Sequence, residues 1–200
     1  MDIRRKWQAT DSDEALMKQT VYVKRWGLLP VVGAVLLTAI PSPAAEDVVA
    51  LRQADMKAMA AAAKTISGMF KDPGSYKAAE FRWAADTIRD RSGSVLSGHF
   101  ASEAASPQSK AKPNIIEERD RFDRIANDLR DYAVALDAAA EKNPGPMPAS
   151  MRMKPGEAMG GGPLGTQVRN ERELSAMPAE HVFHLLLQTC TTCHARFRME

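Results

Sequence analysis

The residues able to do chemistry gather in the last eleven positions, Cys190-Thr191-Thr192-Cys193-His194-Ala195-Arg196-Phe197-Arg198-Met199-Glu200. The chain has two cysteines, and both lie in this segment. Cys-x-x-Cys-His is the attachment signature of a c-type haem: each thiol adds to one vinyl group, and the imidazole is held under the iron. On a helix, Cys190, Cys193 and His194 are i, i+3 and i+4 and share one face. Other chemistries fit less well. A structural zinc site closes with four ligands, usually in two separated pairs, and this chain has one pair. A thioredoxin-like redox pair belongs beside a βαβ pattern, which is missing. A plain disulfide leaves His194 unexplained. One covalent haem c is the expected cofactor, with Cys190 and Cys193 as thioether donors and His194 as proximal iron ligand.

The other end of the chain implies export. Trp26–Ile40 is an apolar run preceded by Lys24 and Arg25 and followed by Pro41-Ser42-Pro43-Ala44-Ala45. Basic, apolar and small-residue regions in that order read as a signal peptide, with cleavage expected after Ala44. As a helix the run would be about 22 Å long, short of the roughly 30 Å of a hydrocarbon core, and Pro30 interrupts it. Residues 1–16 make a poor leader, so translation is expected to begin at Met17. Residues 1–44 carry six of the 27 basic and four of the 25 acidic residues, which leaves 21 of each in residues 45–200. The exported chain is therefore neutral before two haem propionates are added, and no nucleic-acid surface is implied. The expected location is the periplasm, with no membrane association after cleavage.

Residues 45–200 suit one domain and read as four helices. The first spans about Asp47–Phe70, with Val49, Arg52, Met56, Met59 or Ala60, Ala63, Ile66 and Phe70 at helical spacing. The second spans about Ser75–Phe100, with Phe81, Ala85, Ile88, Val95 and His99 on one stripe and a weak point at Ser92-Gly93-Ser94. Residues 101–113 read as loop. The third spans about Asn114–Lys142, with Ile115, Phe122, Ile125, Leu129, Tyr132 and Leu136 inward and residues 117–121 facing water. Residues 143–165, rich in Pro, Gly and Met, read as loop. The fourth runs from about Pro178 to Arg198. No strand alternation is visible. The fold class is all-α: an antiparallel four-helix bundle with its site between facing helices, beside the C-terminal one.

On these residues the chain resembles the class II cytochromes c, the cytochrome c' family, over roughly residues 46–200. The haem motif is C-terminal and continues as Cys193-His194-Ala195-Arg196-Phe197-Arg198, similar to the family's Cys-His-x-x-aromatic-Arg ending. Leu51-Arg52-Gln53-Ala54-Asp55-Met56-Lys57 is similar to its Arg-Gln-x-x-(Leu or Met) segment, and Lys112-Pro113-Asn114-Ile115-Ile116 to its Lys/Arg-Pro-Glu-Ile-Trp. Ile116 departs from that Trp, and the Pro/Gly/Met loop is long. The resemblance implies that Met56 faces the distal side of the iron, that Arg52 and Gln53 lie near the propionates, and that Arg198 lies beside the proximal face.

Low-spin members carry Met at the distal position and five-coordinate members an apolar residue such as Leu. Met56 therefore leads to the expectation of a six-coordinate haem (His194/Met56) in a single-electron carrier that meets redox partner proteins. Met59, one turn on, and His99 compete with Met56. His181 and His184 read as core or surface histidines, since His184 lies about 15 Å along the helix axis from His194. The alternative is a five-coordinate protein that binds NO or CO. A homodimer through the first and second helices is what the resemblance implies. No catalytic constellation is visible, so no enzyme is expected. Met147, Met151, Met153 and Met159 could hold a soft ion such as Cu(I), but a mobile loop is the better reading.

Overall fold

A computed structural model describes residues 43–100, 108–156 and 171–200. Residues 1–42 of the leader, the Met17 start, Met159 and most of the loop after Phe100 lie outside the described residues, while the expected cleavage point after Ala44 falls in the first turn of α1 (Pro43–Lys71). The described residues belong to one compact unit, Ile40–Glu200.

Among the described residues it contains seven α-helices: α1 (Pro43–Lys71), α2 (Ala78–Asp90), α3 (Ser94–Gly98), α4 (Asn114–Glu117), α5 (Arg119–Glu141), α6 (Glu171–Ala176) and α7 (Ala179–Phe197). No strand occurs among the described residues, where one isolated bridge joins Ala111 to Arg198. The four long helices α1, α2, α5 and α7 make the bundle. No helix of the described residues is long and apolar enough to cross a membrane.

α1 is sustained by good helix formers, with alanine at positions 58 and 60–63. It stops before Pro73, which disfavours a helical Asp72; the freed Asp72 carboxylate accepts from the Gly74 N–H at 3.2 Å. Its buried stripe, Met59, Ala62, Ile66, Met69 and Phe70, meets Phe81, Ala85 and Ile88 of α2 in the larger core.

The single second helix expected over 75–100 is three pieces: a 3-10 turn (Pro73–Ser75), α2 and α3. The break falls at Gly93, whose φ of +60° suits a residue without a Cβ. A Cβ there would lie 2.7 Å from Arg130 Cδ of α5. The break resets the helical phase, so Val95, expected inside, is 46% exposed, and Leu96 is buried instead.

The third helix begins at Asn114 as expected but is interrupted at Glu118, giving α4 and α5. Residues 117–121 do not all face water. Glu118 is half-buried, and Arg119 donates to the carbonyls of Ser97 (2.8 Å) and Phe100 (2.9 Å). The stretch expected to be loop throughout contains a second 3-10 turn, Ala149–Met151, and Met151 is buried in the larger core with Met147 packed against it. These two thioethers fill core space, as Met often does, which answers the Cu(I) reading for them. α7 begins one residue after Pro178.

Candidate functional site

α7 carries Cys190, Cys193 and His194 in its last two turns. Both thiols are free and half-buried. Burial pushes both upward in pKa, Cys193 to about 11, with Cys190 adding to the effect. Partial desolvation in the cleft wall and the charge of Arg198 lower the His194 pKa.

Two clefts open on these residues, and both are walled by Met56, Leu96, Cys193 and His194. The inner cleft, about 90 Å³, runs in among Met59, Ala63, Ile88, Ile125 and Leu129. Its one hydroxyl, on Thr189, is committed to the Leu185 carbonyl at 2.9 Å. The outer cleft, about 330 Å³, is lined by Phe100, Ile115, Phe122 and Phe197, and by four cations: Arg52, Lys57, Lys110 and Arg198. No carboxylate lines it among the described residues.

The charge pattern is local. Elsewhere arginines find acids: Arg82 reaches Asp137 at 2.8 Å, Arg91 reaches Asp55 at 3.3 Å, and Arg119 reaches Asp123 at 2.8 Å. Arg52 and Arg198 pair with no carboxylate among the described residues. An apolar group with two anionic arms fits this place: apolar walls for its body, two half-buried thiols at its edge, an imidazole, and Arg52 and Arg198 without acids at the mouth.

The sequence-predicted residues converge on these walls. Cys190 lines the inner cleft and Cys193, His194 and Met56 line both, while Arg52, Gln53 and Arg198 line the outer one. Arg52 is buried, which lowers its pKa. Its Nε donates to the His99 carbonyl at 2.8 Å, Nη2 reaches the same oxygen, and the guanidinium lies 4.1 Å from the Phe100 ring centroid. Gln53 is exposed and donates to the Gln108 carbonyl at 3.3 Å. His99 lines neither cleft; its Nδ1 faces the Asp55 carboxylate at 3.5 Å, so it no longer competes with Met56. His181 is buried and His184 half-buried, and both lie away from the clefts. No group of three His, Cys, Asp or Glu gathers to hold a bare metal ion among the described residues.

Sequence reasoning missed Glu118. Its carboxylate accepts from Arg196 Nε (3.1 Å), from Asn114 (3.2 Å) and from Arg121 (3.4 Å). The Arg196 contact above all holds its pKa below the usual carboxylate value. Nothing in the local sequence signals a pair between positions 118 and 196.

The family model for Cytochrome C' matches residues 47–154, more than half of the chain, ending before the Cys-x-x-Cys-His segment. Among curated proteins no sequence matches significantly. Among solved structures, the cytochrome c' of Thermochromatium tepidum is similar at 20% identity and a TM-score of 0.55, covering 78% of this chain and 98% of its own. A mutant cytochrome c' of Rhodopseudomonas palustris is similar at 23% identity and 0.52, covering 77% and 98%. A nitric oxide complex of a mutant cytochrome c prime from Alcaligenes xylosoxidans is similar at 19% identity and 0.53, covering 78% and 97%.

The family corrects one expectation. Its members are typically high-spin and five-coordinate and known for gas-binding haem, which overturns the six-coordinate His194/Met56 electron carrier and the low-spin branch. The physical reason is visible at Met56: the side chain packs against both apolar clusters, where a thioether serves as filler. With the all-α bundle and this family match together, the chain belongs to the cytochrome c' family, and a single covalently attached haem c is its cofactor.

Proposed function

We propose that this protein binds small uncharged diatomic gases, NO or CO, at a five-coordinate haem iron. In this reading Cys190 and Cys193 form the thioether bonds and His194 is the sole protein ligand to the iron. Haem c bound there supplies an iron with one open coordination position. The observation that carries the reading is the apolar inner cleft, whose single hydroxyl is already spent on its own helix. Such walls disfavour water and ions, which would lose hydration without gaining partners, and admit an uncharged diatomic.

The chain's own residues divide the remaining work. Met56 closes the wall as an apolar filler and would not serve as an iron ligand. Arg52, Lys57, Lys110 and Arg198 offset the charge of the propionates at the cleft mouth. Gln53 borders the same mouth. The protein binds rather than turns over. The Alcaligenes xylosoxidans relative in complex with nitric oxide supports this ligand class.

Optical and magnetic spectra of the holoprotein, with and without CO, test the proposal beside Met56→Leu. The expected result is a high-spin spectrum, ready CO binding, and an unchanged spin state in Met56→Leu. A low-spin spectrum indifferent to CO would sink it.

We also infer export to the periplasm, supported by the order of residues 24–45 and by the need to attach haem outside the cytoplasm. Mass spectrometry of the secreted protein should find Ala45 as its first residue. Trp83, 65% exposed on α2, and Leu51, 47% exposed on α1, favour self-association through these two helices. One structural relative is described as having ligand-controlled dimer dissociation. Trp83→Lys should shift sedimentation from dimer to monomer; a wild-type monomer excludes this.

A further inference from the structure

In the last turn of α7 only Phe197 is buried. His194, Ala195 and Arg196 are all exposed, and the end of a helix leaves carbonyls without partners. A clasp from the segment before α5 supplies what is missing. The Lys112 N–H donates to the Phe197 carbonyl at 2.8 Å, and the Met199 N–H to the Lys110 carbonyl at 2.7 Å. Lys112 Nζ reaches the Ala195 carbonyl at 3.3 Å, and Asn114 Nδ2 the Arg196 carbonyl at 3.5 Å. The buried Phe197 ring packs edge-on against Phe122, with centroids 5.3 Å apart.

Glu118 is the centre of this clasp. It sits at the break between α4 and α5, at φ −107° and ψ 34°, where its carboxylate takes both the Nε and Nη2 of Arg196. Bidentate guanidinium–carboxylate pairs fix direction as well as distance. Asn114 and Arg121 also donate to this carboxylate. Arg196 is two residues beyond His194, so whatever fixes Arg196 fixes the turn that carries the imidazole.

We propose that Glu118, acting through Arg196, is a positioning residue for His194: the pair would limit how far the imidazole tilts or withdraws when a bound haem takes up a diatomic gas. The proposal rests on His194 being the iron ligand. Restraining a ligand at its own backbone controls its bond to the metal as outer partners of metal ligands generally do. Glu118 touches neither gas nor iron and acts on orientation alone.

The test uses the ferrous holoprotein and resonance Raman detection of the iron–imidazole stretch, with CO binding kinetics alongside. Glu118→Ala and Arg196→Ala should each shift and broaden the band and change CO association several-fold. The double variant should add nothing further, because either change breaks the same contact. The swap Glu118→Arg with Arg196→Glu should move the band back towards wild type. Glu117→Gln, one residue away and exposed, should leave it in place. Glu118→Gln keeps the shape without the charge and should shift the band in the same direction, which covers a Glu118→Ala that fails to fold. A wild-type band position and unchanged CO kinetics in Glu118→Gln and Arg196→Ala would overturn the proposal, as would fully additive effects. A wild type with no iron–imidazole band would instead overturn the ligand assignment on which it stands.

Discussion

The two ends of the bundle are built differently. At one end Phe70 packs edge-on to Phe81 (5.6 Å) and tilted to Phe183 (5.7 Å), and Tyr76 also packs edge-on to Phe81 (5.7 Å). Phe81, Ala84, Ala85, Ala133 and Leu136 are sealed from solvent there. At the other end a smaller cluster, Leu96, Ile115, Phe122, Ile125, Ala126 and Phe197, stands beside two open clefts. The first end is complete with protein atoms. The second end has apolar walls whose dispersion contacts a bound haem would complete. Stability at that end is therefore linked to haem, as for any group that binds only the folded state.

The largest effect that would break this comparison comes from removing the attachment. The double variant Cys190→Ser/Cys193→Ser should yield protein whose haem is extracted completely by acidic organic solvent. In the haem-free protein, amide exchange should speed up in α3, α4 and the last turns of α7, while α2 and the second half of α1 stay protected. Uniform loss of protection would show that the ends are one cooperative unit.

Core truncation sharpens the contrast. Phe81→Ala should cost about 3–5 kcal/mol by denaturant unfolding, and equally with or without haem. Phe122→Ala should cost more in the holoprotein than in the haem-free protein, because its ring borders the outer cleft. Equal costs for Phe122→Ala in both forms would remove the distinction.

The boundary between the ends is held by Gly93. Gly93→Ala places a side chain at φ +60° and 2.7 Å from Arg130 Cδ, for an expected loss of about 1–3 kcal/mol. An unchanged melting temperature would mean that the break does not depend on this residue.

The smallest effect is at the sealed end. Tyr76 donates to the Asn143 carbonyl at 3.0 Å, and burial raises its pKa above 10.0. The contribution is whole below pH 10, the unfolded value, and is lost as pH rises through the folded value. Tyr76→Phe should cost about 1 kcal/mol at neutral pH and flatten the alkaline decline of stability. A decline as steep as that of wild type would assign it to other groups.

Much of the framework was legible in the chain. The stripe from Met59 to Phe70, the stop at Asp72-Pro73 and the inward positions from Ile115 to Leu136 follow from periodicity and local sterics. The interruptions were less so. Ser92-Gly93-Ser94 suggested a weak point, but the helix resets there, exposing Val95 and burying Leu96, where the Gly93 N–H donates to the Ala126 carbonyl of α5 at 2.9 Å, a contact that local sequence does not carry. Met151 was unreadable as core because its burial comes from helices distant in sequence.

At the site, the type and spacing of Cys190, Cys193 and His194 were enough to imply a covalent haem, because its attachment needs only residues within one helical turn. The number of iron ligands was not decided there. Whether Met56 ligates or lines a wall depends on how α1 lies against α3, α5 and α7, and a thioether suits both roles. The Arg52 contact with the His99 carbonyl and the Glu118–Arg196 pair, 78 positions apart, also belong to tertiary structure alone. Local chemistry is written in spacing, whereas long-range contacts arise only when several helices are fixed together.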